Sequence, residues 1–217
     1  MGIAEKKWAY IVDDDPLVRR SVHIWLSARN FEPRSFSGPI DFLEELPNLK
    51  PGCALLDVRM PELDGIELVR THSLALQHFA IVIMTGHGDI EMAVQAMKLG
   101  AVDFIEKPFK QEQLIRALEI ASDRLSRRMS TMYRTESAGL LISSLTNREG
   151  DVLSGLLSGR ANKSLAHELG LSPRTVEMHR SNVMKKLKTK SLSEALQLAL
   201  DADFPQNFSH HSAKRGS

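Results

Sequence analysis

The chain has 217 residues, 42% apolar and 25% charged, which leaves room for two small packed domains and excludes a wholly disordered protein. A single cysteine, Cys53, excludes an intrachain disulfide, and no apolar run reaches the length of a membrane span. The net charge of +1 hides an asymmetry: residues 1–110 carry 12 Lys and Arg against 16 Asp and Glu, whereas residues 146–191 carry 9 against 4. An acidic first half and a basic second half imply two tasks, the second near a polyanion.

The N-terminus has no long apolar stretch closed by a cleavage site, and Lys6 stands where a myristoylation signal needs Ser or Thr. The expectation is therefore a cytoplasmic protein with no membrane contact. Residues 8–14 (WAYIVDD) form a short apolar run that ends in acids. In residues 16–30, Leu17, Val18, Val22, Trp25 and Leu26 recur at helical spacing. Further strand runs are 53–58, 80–86 and 102–108, with a weaker one at 33–37. Helices are predicted at about 39–46, 65–76, 89–99 and 110–127. Strands alternating with helices predict an α/β fold, a five-stranded parallel sheet wound with helices on both faces. The continuous apolar character of 53–56 and 80–84 suits strands buried on both sides.

The alternation stops after residue 125. Residues 126–144 read as a linker that is helical at its start. Four helices follow, at 147–158, 162–169, 173–188 and 192–202, with breaks at Gly159, at Gly170 and at Ser172-Pro173, which has the form of an N-cap followed by a first-turn proline. The predicted division is a domain over 1–125, the linker, a small all-α domain over 145–203 and a disordered tail over 204–217.

In open α/β sheets, ligands bind at the carboxyl ends of the strands. Asp13 and Asp14 end the first strand, Asp57 the third, Thr85 the fourth and Lys107 the fifth. Carboxylates packed together repel, so a cation is needed, and an all-oxygen set that also engages phosphate favours Mg²⁺. Asp15, beside Pro16, reads as a helix cap, and Asp64-Gly65 as a turn. Cys53 reads as core. His87, a single histidine with no second ligand nearby, is given no metal or base role.

The motifs VDDD (12–15), LLDVRMPELDG (55–65), MTGHGD (84–89) and EKPF (106–109) resemble, in order and spacing, the receiver domain of two-component response regulators over residues 7–125. The resemblance implies a flavodoxin-like, doubly wound sheet. It also implies that Asp57 takes a phosphoryl group from the phosphohistidine of a sensor histidine kinase. Mg²⁺ would be held by Asp14, Asp57 and the backbone carbonyl of Arg59, with Asp13 acting through water. Lys107 and Thr85 would meet phosphoryl oxygens, and the Lys107-Pro108 bond would be cis. In the family's switch, Thr85 moves towards the phosphoryl group and the ring at Phe104 turns inward.

Residues 145–191 are similar to the LuxR-type helix-turn-helix, carried by Leu145-Thr146, Arg148-Glu149, Val152-Leu153, Gly159, Asn162-Lys163, Thr175-Val176, His179 and Lys186-Leu187. Gly150 departs from the pattern, and glycine inside a helix costs about 1 kcal/mol against alanine. The resemblance puts helix 173–188 in the major groove, with Glu177, Met178 and Ser181 at base edges and Lys163, Arg174, Thr175, Arg180 and Lys185 on phosphates. Lys188 and Lys190 read equally well as solvated charge.

The two halves together resemble the NarL/FixJ family, most closely FixJ-type regulators. Such proteins are transcription regulators rather than enzymes. They pair as homodimers on phosphorylation through the fourth helix and fifth strand, here with Val94 and Lys98 on one helix face, bind promoter DNA and engage RNA polymerase. Ala93, Ala96 and Met97 compete with Val94 for the core. Two other readings are a signalling module that works by protein contacts or as a phosphate sink, its helical domain not reading DNA, and a Mg²⁺-dependent hydrolase of an exogenous phosphoester. The dense match at 172–191 opposes the first, and the lack of a second acid or base beside Asp57 opposes the other.

Overall fold

The computed structural model of the protein describes residues 6–86 and 90–205. The chain divides into two compact units, Met1–Met129 and Ser130–Ser217.

In the first unit the strands are β1 (Lys7–Val12), β2 (Phe31–Phe36), β3 (Gly52–Asp57), β4 (Phe79–Thr85) and β5 (Asp103–Glu106). Between and after them run the helices α1 (Pro16–Ser27), α2 (Pro39–Glu45), α3 (Gly65–Thr71), α4 (Ile90–Lys98) and α5 (Gln111–Ile142). Among the described residues they form one five-stranded sheet in the order β2-β1-β3-β4-β5, with every pairing parallel. Strand side chains alternate between two cores, as the two-residue period requires. Tyr10, Val12, Ala54, Leu56, Ile81 and Ile83 belong to one cluster with Phe42, Ile66 and Ala96 from α2, α3 and α4. Ala9, Ile11, Cys53, Leu55, Val82 and Met84 face the other, with Val22 and Leu26 of α1 and Leu114, Leu118 and Leu125 of α5. Both faces are covered, which explains why β3 and β4 read as unbroken apolar runs. Cys53 lies in the core, where burial pushes its thiol up to about 12.

Two elements depart from the sequence reading. α3 was expected to reach 76 but ends at Thr71, where the Thr71 hydroxyl takes up the Glu67 carbonyl; a short 3₁₀ turn, Ala75–His78, follows. Residues 128–142 were read as a linker helical only at its start, yet α5 is helical without a break to Ile142.

The second unit contains α6 (Asn147–Leu157), α7 (Asn162–Leu169), α8 (Pro173–Lys186) and α9 (Leu192–Asp201). Thr146 and Glu149 form a capping box on α6, which runs unbroken through Gly150. Gly155 lets α7 approach, because a Cβ there would overlap Leu165 Cδ2. Val152, Leu156, Leu165, Ala166 and Val176 make one small core and Leu153, Val183, Leu187, Ala195 and Ala199 another. Phe204, expected in the tail, packs on the second core, and its amide bonds the Ala199 carbonyl at 2.9 Å. The tail beyond Pro205 and His87 lie outside the described residues. No described helix is long and apolar enough to cross a membrane.

Candidate functional site

Sheet register assembles the acidic site. Val12 pairs with Leu56, so Asp13 and Asp57 leave neighbouring strands at one level. Met84 pairs with Asp57 and Thr85 with Glu106, which puts Thr85 and Lys107 at the same edge. Asp13, Asp14 and Asp57 each offer a carboxylate oxygen within 4.8 Å of the others. Asp13 is fully buried, Asp57 and Thr85 are nearly so, and Asp14 is exposed. Lys107 Nζ donates to Asp13 Oδ2 at 2.7 Å and to Asp57 Oδ1 at 2.9 Å. The Lys107-Pro108 peptide is cis.

Three carboxylates against one ammonium leave net negative charge at a buried edge. Burial raises the Asp57 carboxyl above its ordinary value; Lys107 opposes the shift, and the charges of Asp13 and Asp14 add to it. Burial disfavours the Lys107 ammonium too, but its hydrogen bonds to Asp13 and Asp57 outweigh that and hold its pKa up. An acid that stays strained after its lysine has paired, in an all-oxygen donor set, fits a hard divalent cation.

The turns around the site are held by residues that sequence reading assigned no part, or a lesser one. Asp15 Oδ1 accepts from the Leu17 amide at 2.8 Å, the cap expected of it. Asp13 Oδ1 accepts from the Asp15 amide at 2.9 Å. Arg19 Nη1 donates to the carbonyls of Asp13 and Asp14 at 2.6 and 2.9 Å. Gly65 lies so close to the Asp57 carbonyl oxygen that a Cβ would overlap it. Its dipeptide signalled a turn, but the close approach of the start of α3 to the end of β3 leaves no local signal.

A second surface lies in the helical unit. Gly170, in the left-handed conformation at φ 64°, ends α7, and the Leu171 amide bonds the Ala166 carbonyl at 2.8 Å. Ser172 Oγ then accepts from the Thr175 amide at 3.1 Å, with Pro173 in the first helical position. α8 buries Val176 and Val183, and Leu187 just beyond it. Its other side exposes Arg174, Glu177, Met178, Ser181 and Lys185, while Thr175 and Arg180 are half-buried and Lys163 of α7 is exposed. Lys188 and Lys190 are exposed as well.

Residues 9–119 match the response regulator receiver domain, and residues 143–199 match the luxR family of bacterial regulatory proteins. The transcriptional regulatory protein FixJ of Bradyrhizobium diazoefficiens is 43% identical over 193 residues, 89% of this chain and 94% of that protein. FixJ of Rhizobium meliloti is 40% identical over 195 residues, 90% and 96% of the two chains. The solved structure of the response regulator StyR superposes with a TM-score of 0.79 at 38% identity, covering 90% of this chain and 98% of that one. Full-length FixJ from B. japonicum superposes with a TM-score of 0.58 at 42% identity, covering 92% and 98%. The chain belongs to the response regulators.

This response regulator joins a receiver to a LuxR-type DNA-binding domain, the composition of a FixJ-like transcription regulator. A receiver implies a histidine kinase as partner, and a LuxR-type domain implies DNA. The acidic edge lies inside the matched receiver, and the exposed face of α8 inside the matched DNA-binding domain. Elsewhere in the receiver, Phe104 is 46% exposed on β5, whereas Thr85 is buried. Val94 is 49% exposed and Lys98 is exposed, while Ala93 and Ala96 take the core positions of α4. Arg59, expected to lend its carbonyl to a cation, is exposed one residue past the buried Val58.

Proposed function

We propose that Asp57 is the phosphoacceptor and that a sensor histidine kinase is the physiological donor. The observation that carries this reading is the position of Lys107, which donates to both Asp13 and Asp57 at the sheet edge. A carboxylate oxygen of Asp57 forms the new P–O bond as the P–N bond of the phosphohistidine breaks, and the departing imidazole takes up a proton. Phosphoryl transfer depends mainly on positioning and charge neutralisation. Asp13, Asp14, Asp57 and the Arg59 carbonyl would hold Mg²⁺, which neutralises charge on the acceptor and the phosphoryl group. Lys107 releases one carboxylate and pairs with a phosphoryl oxygen. The Thr85 hydroxyl donates to another.

The modified receiver pairs with a second copy through α4 and β5, including Val94 and Lys98. The pair presents two α8 helices to a promoter and engages RNA polymerase there. Glu177, Met178 and Ser181 meet base edges. Lys163, Arg174, Thr175, Arg180 and Lys185 meet phosphates. Its place of work is the cytoplasm, where both the kinase's phosphohistidine and the promoter are accessible. Acetyl phosphate with Mg²⁺ is expected to label the protein, and Asp57→Asn is expected to remain unlabelled. Full labelling of that variant overturns the assignment.

A further inference from the structure

We infer that Arg19 is a positioning residue for the cation site: by tying down the Asp13 and Asp14 carbonyls it orders the turn from which the Asp14 carboxylate reaches the site. This rests on the reading of the acidic edge as a Mg²⁺ site.

The acids differ in how they are held. Asp13 is fully buried and fastened at both oxygens, one by the Asp15 amide and the other by Lys107. Asp57 is buried and fastened by Lys107. Asp14 is exposed, and its carboxylate makes no hydrogen bond or ion pair among the described residues. No described partner positions that carboxylate, so what the protein sets in advance is its main chain and the direction in which its Cα–Cβ bond leaves it. That backbone is gripped from α1, where a single guanidinium nitrogen reaches the Asp13 carbonyl at 2.6 Å and the Asp14 carbonyl at 2.9 Å. Charge-assisted bonds of this kind are stronger than neutral ones. Arg19 is itself fixed by the helix, since its amide bonds the Asp15 carbonyl at 3.1 Å.

Arg19 has an opposite influence as well, because a cation beside the site repels Mg²⁺. The side chain is half-exposed, so water and salt screen that repulsion. The loss of preorganisation is not screened. If the turn must be ordered at the moment of binding, fixing the backbone of one residue weakens affinity by about fivefold to thirtyfold. Positioning wins, and removal of Arg19 weakens Mg²⁺ binding.

The test is calorimetric titration of the full chain with MgCl₂ at fixed ionic strength, with no phosphodonor present. Arg19→Ala is expected to raise the Kd by about fivefold to thirtyfold. Arg19→Lys, which keeps a charged donor, is expected to recover part of the loss, a rescue that holds even if the alanine variant folds poorly. Arg20→Ala, removing an exposed neighbouring charge, is expected to leave the Kd unchanged. Wild-type or tighter binding by Arg19→Ala overturns the inference, as does an equal loss in Arg20→Ala or no recovery in Arg19→Lys. These outcomes leave the cation site itself standing. Failure of the wild-type protein to bind Mg²⁺ overturns both.

Discussion

Lys186 Nζ donates to Glu149 Oε2 at 2.6 Å, joining the last turn of α8 to the first turn of α6 across 37 positions of sequence. The same carboxylate oxygen accepts the Thr146 amide at 2.7 Å and closes the capping box. Burial alone would raise the Glu149 carboxyl, but the Lys186 hydrogen bond and the Thr146 amide and hydroxyl overcome it and hold the group below its ordinary value. A carboxyl depressed in the folded state adds stability that is fully present above its unfolded value of about 4.3 and is lost as pH falls through the lower folded value. Glu149→Gln keeps the box geometry but loses the ion pair. It is expected to destabilise the DNA-binding domain by about 1–2 kcal/mol at neutral pH. Amide exchange of α6 and α8 measures this. The difference from wild type should shrink below about pH 4; a pH-independent difference counts against the ion pair as its source.

The same pair shows what a sequence conveys and what it conceals. Lys185 and Lys186 are chemically identical neighbours, yet helical phase leaves Lys185 in solvent and turns Lys186 onto Glu149. Fold class was legible because β3 and β4 are apolar on both faces and the helices between strands carry their own period. β2 was faint for a physical reason: it is an edge strand, where Pro33 is tolerated, Arg34 and Ser35 face water and only Phe31 and Phe36 are buried. The polar edge of the sheet was legible because Asp13, Asp57 and Thr85 each follow directly on an apolar run and Lys107 follows directly on β5. Arg19 was not, since its partners are main-chain carbonyls, which every residue has. Nor was the continuity of α5 through residues 128–142, where the polar run 134–137 and Gly139 interrupt the apolar spacing and only Ala138 is buried.

Gly65 is expected to tolerate no side chain. Its alanine Cβ would overlap the Asp57 carbonyl oxygen, a main-chain atom that cannot rotate away. Gly65→Ala should cost about 2–3 kcal/mol of receiver stability, and acetyl phosphate labelling should fall because Asp57 is displaced. Gly38→Ala is the control, as nothing lies within 4 Å of the added carbon. Its unfolding midpoint in urea should match wild type within about 0.5 kcal/mol. Equal behaviour of the two variants contradicts the close approach.

The two classes of residue assigned to DNA should separate in binding assays. On the proposed reading, Lys185→Ala would remove a phosphate contact. Its effect should be similar on every sequence, and the slope of log affinity against log salt should shrink by about one. Met178→Ala, at a half-exposed apolar position facing out of α8, should leave that slope alone and relax preference at one base pair, by about 1–3 kcal/mol or less. Binding to selected and random DNA over a salt series measures both. A sequence-selective loss in Lys185→Ala reverses the assignment.

The acidic edge is expected to be coupled to pairing of two copies. Thr85 is buried beside Asp57, and Phe104, two positions before Glu106 on the adjacent strand, is half-exposed. If the family's switch operates here, movement of Thr85 towards a phosphoryl group would vacate space into which the ring could turn, a two-state element biased by local charge. Val94 and Lys98, one helical turn apart, share the exposed face of α4, the face proposed above to meet a second copy. Thr85→Ala should therefore accept phosphate and yet stay monomeric in sedimentation. Val94→Asp should likewise take phosphate without pairing, because it places a charge in the contact. A dimer engages both halves of a dyad-symmetric operator and gains apparent affinity with no new contact. Pairing as the switch and covering of α8 by the receiver as the switch make different forecasts for residues 130–217 alone. Under pairing, this fragment should bind the operator as weakly as the unphosphorylated full chain. Clearly tighter binding by the fragment means that the receiver also masks α8, and normal phosphate-stimulated dimerisation of Val94→Asp means that the copies meet through another face.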